Sequence, residues 1–141
     1  MRHLLDSKLC RFALVGGVGF VADALVFTLC LKWLALPMLQ ARLVAFICAA
    51  TVTWVGNRSF TFLNYSRKRY VQPRLLLVVE WGKFMLSASV SAIPNFITFK
   101  LILTLFGNDG AIPYLALVLG ILLGMVSNFI LSSLWVFHSH Q

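Results

Sequence analysis

The side chains able to do chemistry in this chain are few, and nearly all lie inside or at the edges of long apolar stretches. Asp23 is a carboxylate with no charged neighbour in sequence closer than Arg11 and Lys32, and Asn95 and Asn128 are amides in similarly apolar surroundings. Arg11, Arg42, Arg58 and Lys83 stand near the ends of such stretches, and Asn57 precedes Arg58. A guanidinium can grip a phosphate through two parallel hydrogen bonds. An amide can donate to and accept from hydroxyl groups, and a carboxylate in hydrocarbon must be protonated, paired or hydrated.

Other chemistries find no support. Cys10, Cys30 and Cys48 show no CxxC or Cys/His spacing, and His3, His138 and His140 lie near the two ends of the chain. No metal site, cofactor site or redox centre is expected. There is no nucleophile–base pair and no pair of carboxylates, so the chain does not read as an enzyme.

These residues have to be positioned by elements suited to lipid. Of 141 residues, 60% are hydrophobic and only 11% charged, with a mean hydropathy of +0.90, against about a quarter charged in soluble domains. Residues 1–141 are expected to form a single membrane domain with no room for a separate soluble module. In a soluble protein the net charge of +8 would suggest nucleic acid. Here the cations flank apolar runs, so anionic membrane lipids and topology account for them and no nucleic-acid partner is expected.

Four apolar runs, at about 12–34, 39–62, 81–106 and 112–137, each exceed the roughly 20 residues that cross the hydrocarbon as helix. Runs without alternation exclude barrel strands. The first is too long for a signal-peptide core and is read as retained. Pro37, the basic stretch 64–74 and the turn signal Gly107-Asn108-Asp109-Gly110 separate the runs. The fold class is therefore all-α: a polytopic membrane protein whose four transmembrane helices form two tandem helical hairpins.

Arg2, Lys8, Arg11, Arg58, Arg67, Lys68, Arg69, Arg74 and Lys83 fall on one side of this arrangement, and only Lys32, Arg42 and Lys100 on the other. Basic loops stay inside, which places both termini and the central loop in the cytoplasm and the chain in the cytoplasmic (inner) membrane.

The hairpins, 11–62 and 83–137, resemble each other. With Arg11-Phe12 laid over Lys83-Phe84, Gly19 meets Ser91 and Asp23 meets Asn95. With Phe62 over Phe137, Phe60 meets Trp135, Asn57 meets Ser132 and Thr53 meets Asn128. Small or polar residues recur every fourth position at Ala45, Ala49, Thr53 and Asn57, and again at Gly120, Gly124, Asn128 and Ser132. Such faces let helix backbones approach closely in lipid. Two crossings per unit imply parallel repeats, related by an axis along the membrane normal. Asp23, at roughly 18 Å along its helix from Arg11, reads as the only carboxylate well inside the bilayer. It is either functional or a tether hydrogen-bonded to Asn95 or Thr53.

Arg11-Phe12-Ala13-Leu14-Val15-Gly16-Gly17-Val18-Gly19 resembles the opening of GtrA-like proteins, and Asn57-Arg58-Ser59-Phe60-Thr61-Phe62 resembles the motif that closes their second helix. Asn128-Phe129 with Trp135-Val136-Phe137 is similar to their C-terminal signature. Ser132-Ser133 stands where an Asn-Arg-like pair would repeat, so equivalent ligand contacts in both hairpins do not follow. The resemblance implies a translocase (flippase) that moves a polyprenyl-phosphate-linked monosaccharide, typically undecaprenyl phosphate-glucose, outward for cell-envelope polysaccharide and O-antigen glycosylation. Arg58, Asn57, Arg11, Asp23, Asn95, Asn128 and Arg42 are the candidate substrate-binding residues. For the cations, ordinary interfacial anchoring is the competing reading. Two other functions stay open: a non-transporting scaffold for a membrane glycosyltransferase, and a small four-helix exporter using Asp23. A homo-oligomer is expected, because four short helices enclose little volume.

Cysteines introduced into a cysteine-free background at 64–74 should resist an impermeant maleimide applied from outside, whereas those at 107–110 should be labelled. The reverse pattern would overturn the orientation.

Overall fold

The computed structural model describes residues 7–63 and 73–138. Helix α1 spans Lys8–Lys32, α2 Met38–Gly56, α3 Arg74–Phe106 and α4 Ile112–Leu131. Helices α2 and α4 each run on into a π turn, Asn57–Thr61 and Ser132–Val136. All four helices are long and apolar enough to cross a membrane. Ser7 caps α1 by accepting from the Cys10 N–H at 3.2 Å, and Pro113 opens α4 where its missing N–H would be unpaired in any case. Between α3 and α4 the chain reverses through Gly107 and Gly110, both at positive φ, where a side chain would be strained.

The surface is that of a protein dissolved in lipid. Val18, Phe20, Leu25, Phe96, Ile97 and Leu115 are all exposed, and a water-soluble monomer rarely shows so continuous an apolar exterior. The interior instead holds small and polar residues: Ala41, Ala45, Ala50, Ala116, Ser87, Ser91, Asn57 and Ser132. The four-residue stripes read in the sequence face inward at Ala45, Asn57, Gly120, Gly124 and Ser132.

The two hairpins close by different means. In α1–α2 a Cβ on Gly19 would collide with Cγ2 of Thr53, and one on Gly56 would lie 2.7 Å from Cγ1 of Val15. There each glycine receives a β-branched side chain. In α3–α4 a Cβ on Gly120 would lie 2.8 Å from the carbonyl oxygen of Asn95, and one on Gly124 3.1 Å from that of Ser91. The glycines there admit backbone.

Where the hairpins meet, the repeat becomes visible as geometry. Phe12 and Phe84, aligned in the sequence, join Phe62, Phe137 and Val136 in one buried cluster. Phe62 and Phe137, also aligned, stack on each other with centroids 4.5 Å apart and planes 17° apart. Contact between equivalent residues is what a pseudo-two-fold axis between the repeats would give. Arg11 lies over the Phe60 ring at 5.4 Å and Lys83 over the Trp135 ring at 5.6 Å, again equivalent pairs. The π turns match as well: Phe62 N–H bonds the Asn57 carbonyl and Phe137 N–H the Ser132 carbonyl, both at 2.8 Å.

Gly120→Ala should destabilise the fold by about 1–3 kcal/mol, the usual cost of overpacking, because no rotamer change can move a backbone carbonyl aside. At Gly82 a Cβ meets nothing within 4 Å, so Gly82→Ala should be neutral or stabilising by up to about 1 kcal/mol. Unfolding of the two variants in mild detergent checks the contrast.

Candidate functional site

Polar groups gather in three places. The first is the end of the bundle at which α1 begins. Asn57 continues the inward face of Ala45 at helical spacing and opens the π turn that follows Gly56. Asn57 is buried, accepting from Thr61 Oγ1 at 2.7 Å. Arg58 comes to bear on α3, where its guanidinium pairs with Glu80. The Arg58 and Glu80 side chains are only 16% and 4% exposed, and Trp54 Nε1 donates to the other Glu80 oxygen at 3.0 Å. Trp81 Nε1 donates to Thr51 Oγ1 at 3.0 Å, and that hydroxyl donates on to the Ile47 carbonyl at 2.7 Å. The α2–α3 seam is thus fastened by three polar links that cross from one hairpin to the other.

Glu80 was not among the residues singled out by pattern. The third helix begins at Arg74 and not near Trp81, so it takes in a carboxylate that the apolar-run boundary left outside. A signal was present: Glu80, Phe84, Ser87 and Ser91, the buried residues of α3, recur at helical spacing on one face.

The second place is Asp23. It is not tethered to Asn95 or Thr53. Arg42 Nη1 donates to Asp23 Oδ2 at 2.9 Å, and the Arg42 guanidinium lies over the Phe27 ring at 5.3 Å. Two of the expected ligand residues therefore hold each other, at side-chain exposures of 22% for Asp23 and 54% for Arg42. Thr53 spends its hydroxyl on its own helix, bonding the Ala49 and Ala50 carbonyls at 3.1 and 2.9 Å. Asp23, the carboxylate on which the exporter reading rests, has a standing counter-ion.

The third place is a cleft of about 560 Å³ between α1 and the second hairpin. Phe12, Ala13, Gly16, Gly17 and Phe20 of α1 form one wall; Ser91 and Asn95 of α3 and Asn128 of α4 supply its polar groups. No residue of α2 lines it. Ser91 is 4% exposed and its hydroxyl has no partner among the described residues. A buried hydroxyl left in that state costs free energy. Pro94, inside α3, removes one helical hydrogen bond next to Asn95. The cleft is therefore apolar along its length and able to exchange hydrogen bonds at one wall, as ligand sites commonly are.

The seven expected substrate residues are thus distributed. Asn95 and Asn128 come together in the cleft, with Phe12, the neighbour of Arg11, at its edge. Arg58 and Asn57 belong to the α2 end, and Asp23 and Arg42 form a pair of their own. Among the described residues no group of His, Cys, Asp or Glu could hold a metal ion.

A bundle of four membrane-length helices built as two pseudo-symmetric hairpins, with a cleft within the spanning region, defines a small polytopic membrane protein. A family model described as the GtrA/DPMS transmembrane domain matches residues 11–139, and the chain belongs to that family. Neither a curated protein nor a solved structure matches it at a significant level.

Removing either partner of a buried ion pair strands the other, at a cost of about 3–5 kcal/mol, whereas replacing both with apolar residues is often neutral. Arg58→Ala and Glu80→Ala should each lower stability by that order, and Arg58→Met with Glu80→Leu should recover most of it. Unfolding of the purified variants in detergent reads the difference. Equal stability of the single variants and the wild type would show that the pair fastens nothing.

Proposed function

We propose that the chain translocates a polyprenyl-phosphate-linked monosaccharide across the cytoplasmic membrane, with both termini cytoplasmic, for glycosylation of cell-envelope polysaccharide. Membership of the family supports this reading at the coarse level, and one observation carries it further: a cleft at membrane depth that is apolar along α1 and polar at Ser91, Asn95 and Asn128. A flipped glycolipid needs that combination, because sugar hydroxyls that leave water must be hydrogen-bonded on the way while the isoprenoid stays in hydrocarbon. The phosphate would be met at the basic end, where Arg11, Arg58 and Lys83 stand on successive elements. Arg58 is already paired, so a phosphate would have to share it with Glu80. A glycosyltransferase that makes the glycolipid on the cytoplasmic face is the natural partner.

The test is leaflet-resolved movement of a polyprenyl phosphate-hexose in liposomes. Wild-type protein should accelerate it over empty vesicles, and Asn128→Ala should slow it about tenfold, the worth of one hydrogen bond of roughly 1.4 kcal/mol. No acceleration by wild-type protein that nonetheless co-purifies with a membrane glycosyltransferase would replace translocation by scaffolding.

A further inference from the structure

The pseudo-symmetry offers two equivalent seams between the hairpins, α2–α3 and α1–α4, but the residues at them are not equivalent. Continuing the gapless register, Trp54 corresponds to Phe129, Arg58 to Ser133 and Glu80 to Lys8. The first set makes the buried Arg58–Glu80–Trp54 cluster. In the second, Phe129 makes an edge contact with Phe12 at 5.5 Å, and Ser133 Oγ is buried without a partner among the described residues. One seam is held by a buried ion pair and indole donors; at the other the corresponding positions, Lys8 and Ser133, cannot form such a pair, and Phe12 meets Phe129 in an aromatic contact, which separates with less loss than a buried ion pair.

The cleft lies on the side without the buried ion pair, and its wall contains Gly16 and Gly17. A glycine in a helix interior is a poorer choice than alanine unless something must come close to the backbone. At Gly19, Gly120 and Gly124 that something is another part of the protein; at Gly16 and Gly17 a Cβ would meet nothing within 4 Å. Across the same cleft the Ser91 hydroxyl is buried and unsatisfied. Bare backbone on one wall and an orphan hydroxyl on the other are both accounted for by a ligand lying between them.

Building on the proposed function, we propose that the α1–α4 seam is the lateral portal of the glycolipid, which lies along Gly16 and Gly17 with its sugar toward Ser91, Asn95 and Asn128, while the α2–α3 seam stays shut as the hinge. The sugar supplies the partner that Ser91 lacks. The isoprenoid leaves to the bilayer past Ala13, Gly17, Ile121 and Met125. The two repeats have in this way divided the work, one seam keeping the hairpins together and the other admitting the substrate.

The test uses the purified full chain in nanodiscs and a farnesyl phosphate-hexose carrying a diazirine on its terminal isoprene, with label sites read by mass spectrometry. Saturable labelling of α1 and α4 around Ala13, Gly17, Ile121 and Met125 is expected, with Thr51, Trp54 and Trp81 unlabelled. Gly17→Leu should keep the wild-type unfolding temperature or raise it and cut labelling at least tenfold. Gly82→Leu, which also fills open space but outside the cleft, should label as wild type. Labelling centred on the α2–α3 seam, no saturable labelling, or equal effects of the two leucines would overturn the portal. The readings also fail separately: portal labelling without translocation would sink the transport function and leave the portal standing, whereas translocation with α2–α3 labelling would do the opposite.

Discussion

In hydrocarbon, helices gain nothing by hiding apolar surface from a solvent that is itself apolar, so close packing and polar contacts have to hold this bundle together. The rest of the structure follows from that constraint. It explains why leucine, isoleucine and valine face outward while alanine, glycine, serine and asparagine face inward. It also explains why the hairpins are internally tight, at Gly19 against Thr53 and at Gly120 against the Asn95 backbone. Between the hairpins the same constraint concentrates cohesion at one end, in the Phe62–Phe137 stack and the Arg58–Glu80 pair. Away from that end the second hairpin and α1 leave a cleft of about 560 Å³.

Symmetry and its breaking have separate physical roles. Of the matched features, the stacked phenylalanines join the two hairpins, whereas the π turns and the cation–aromatic contacts lie within each hairpin. The unmatched features lie at the two seams between the hairpins. Glu80 has Lys8 as its counterpart and Arg58 has Ser133, so an ion pair can form across one seam only. Thr53 fills the space beside Gly19, whereas Asn128, its counterpart, faces the cleft. Three unmatched positions in the repeats thus distinguish the two seams.

Charge at membrane depth is handled by pairing. Asp23 and Arg42 come from adjacent helices of one hairpin and neutralise each other, and Glu80 takes both Arg58 and the Trp54 indole. An unpaired ion in lipid is costly whatever scale is used, and pairing lets the chain keep cations near both ends of the bundle. Arg11 and Lys83 instead rest on aromatic faces, where the ring quadrupole stabilises a cation without cancelling its charge.

The number of helices, their pairing into hairpins and the inward faces of α2 and α4 were legible in the sequence, because length and four-residue spacing are local properties that lipid translates directly into helix and contact. Phe12 and Phe84, and Phe62 and Phe137, were legible as matching positions, and the fold brings all four into one buried cluster. Which charges meet was not. Asp23 with Arg42, and Glu80 with Arg58, are set by how two helices are rotated and staggered against each other, and nothing in a one-dimensional run of residues records that. The start of α3 at Arg74 escapes hydropathy for a related reason: hydropathy sees Glu80 as an interruption, whereas the fold sees a carboxylate already neutralised from the neighbouring helix. The different fates of the glycines were hidden in the same way. Gly16 and Gly19 sit one turn apart in a single motif, yet one borders open space and the other a threonine methyl, because only the tertiary structure decides what stands opposite each face.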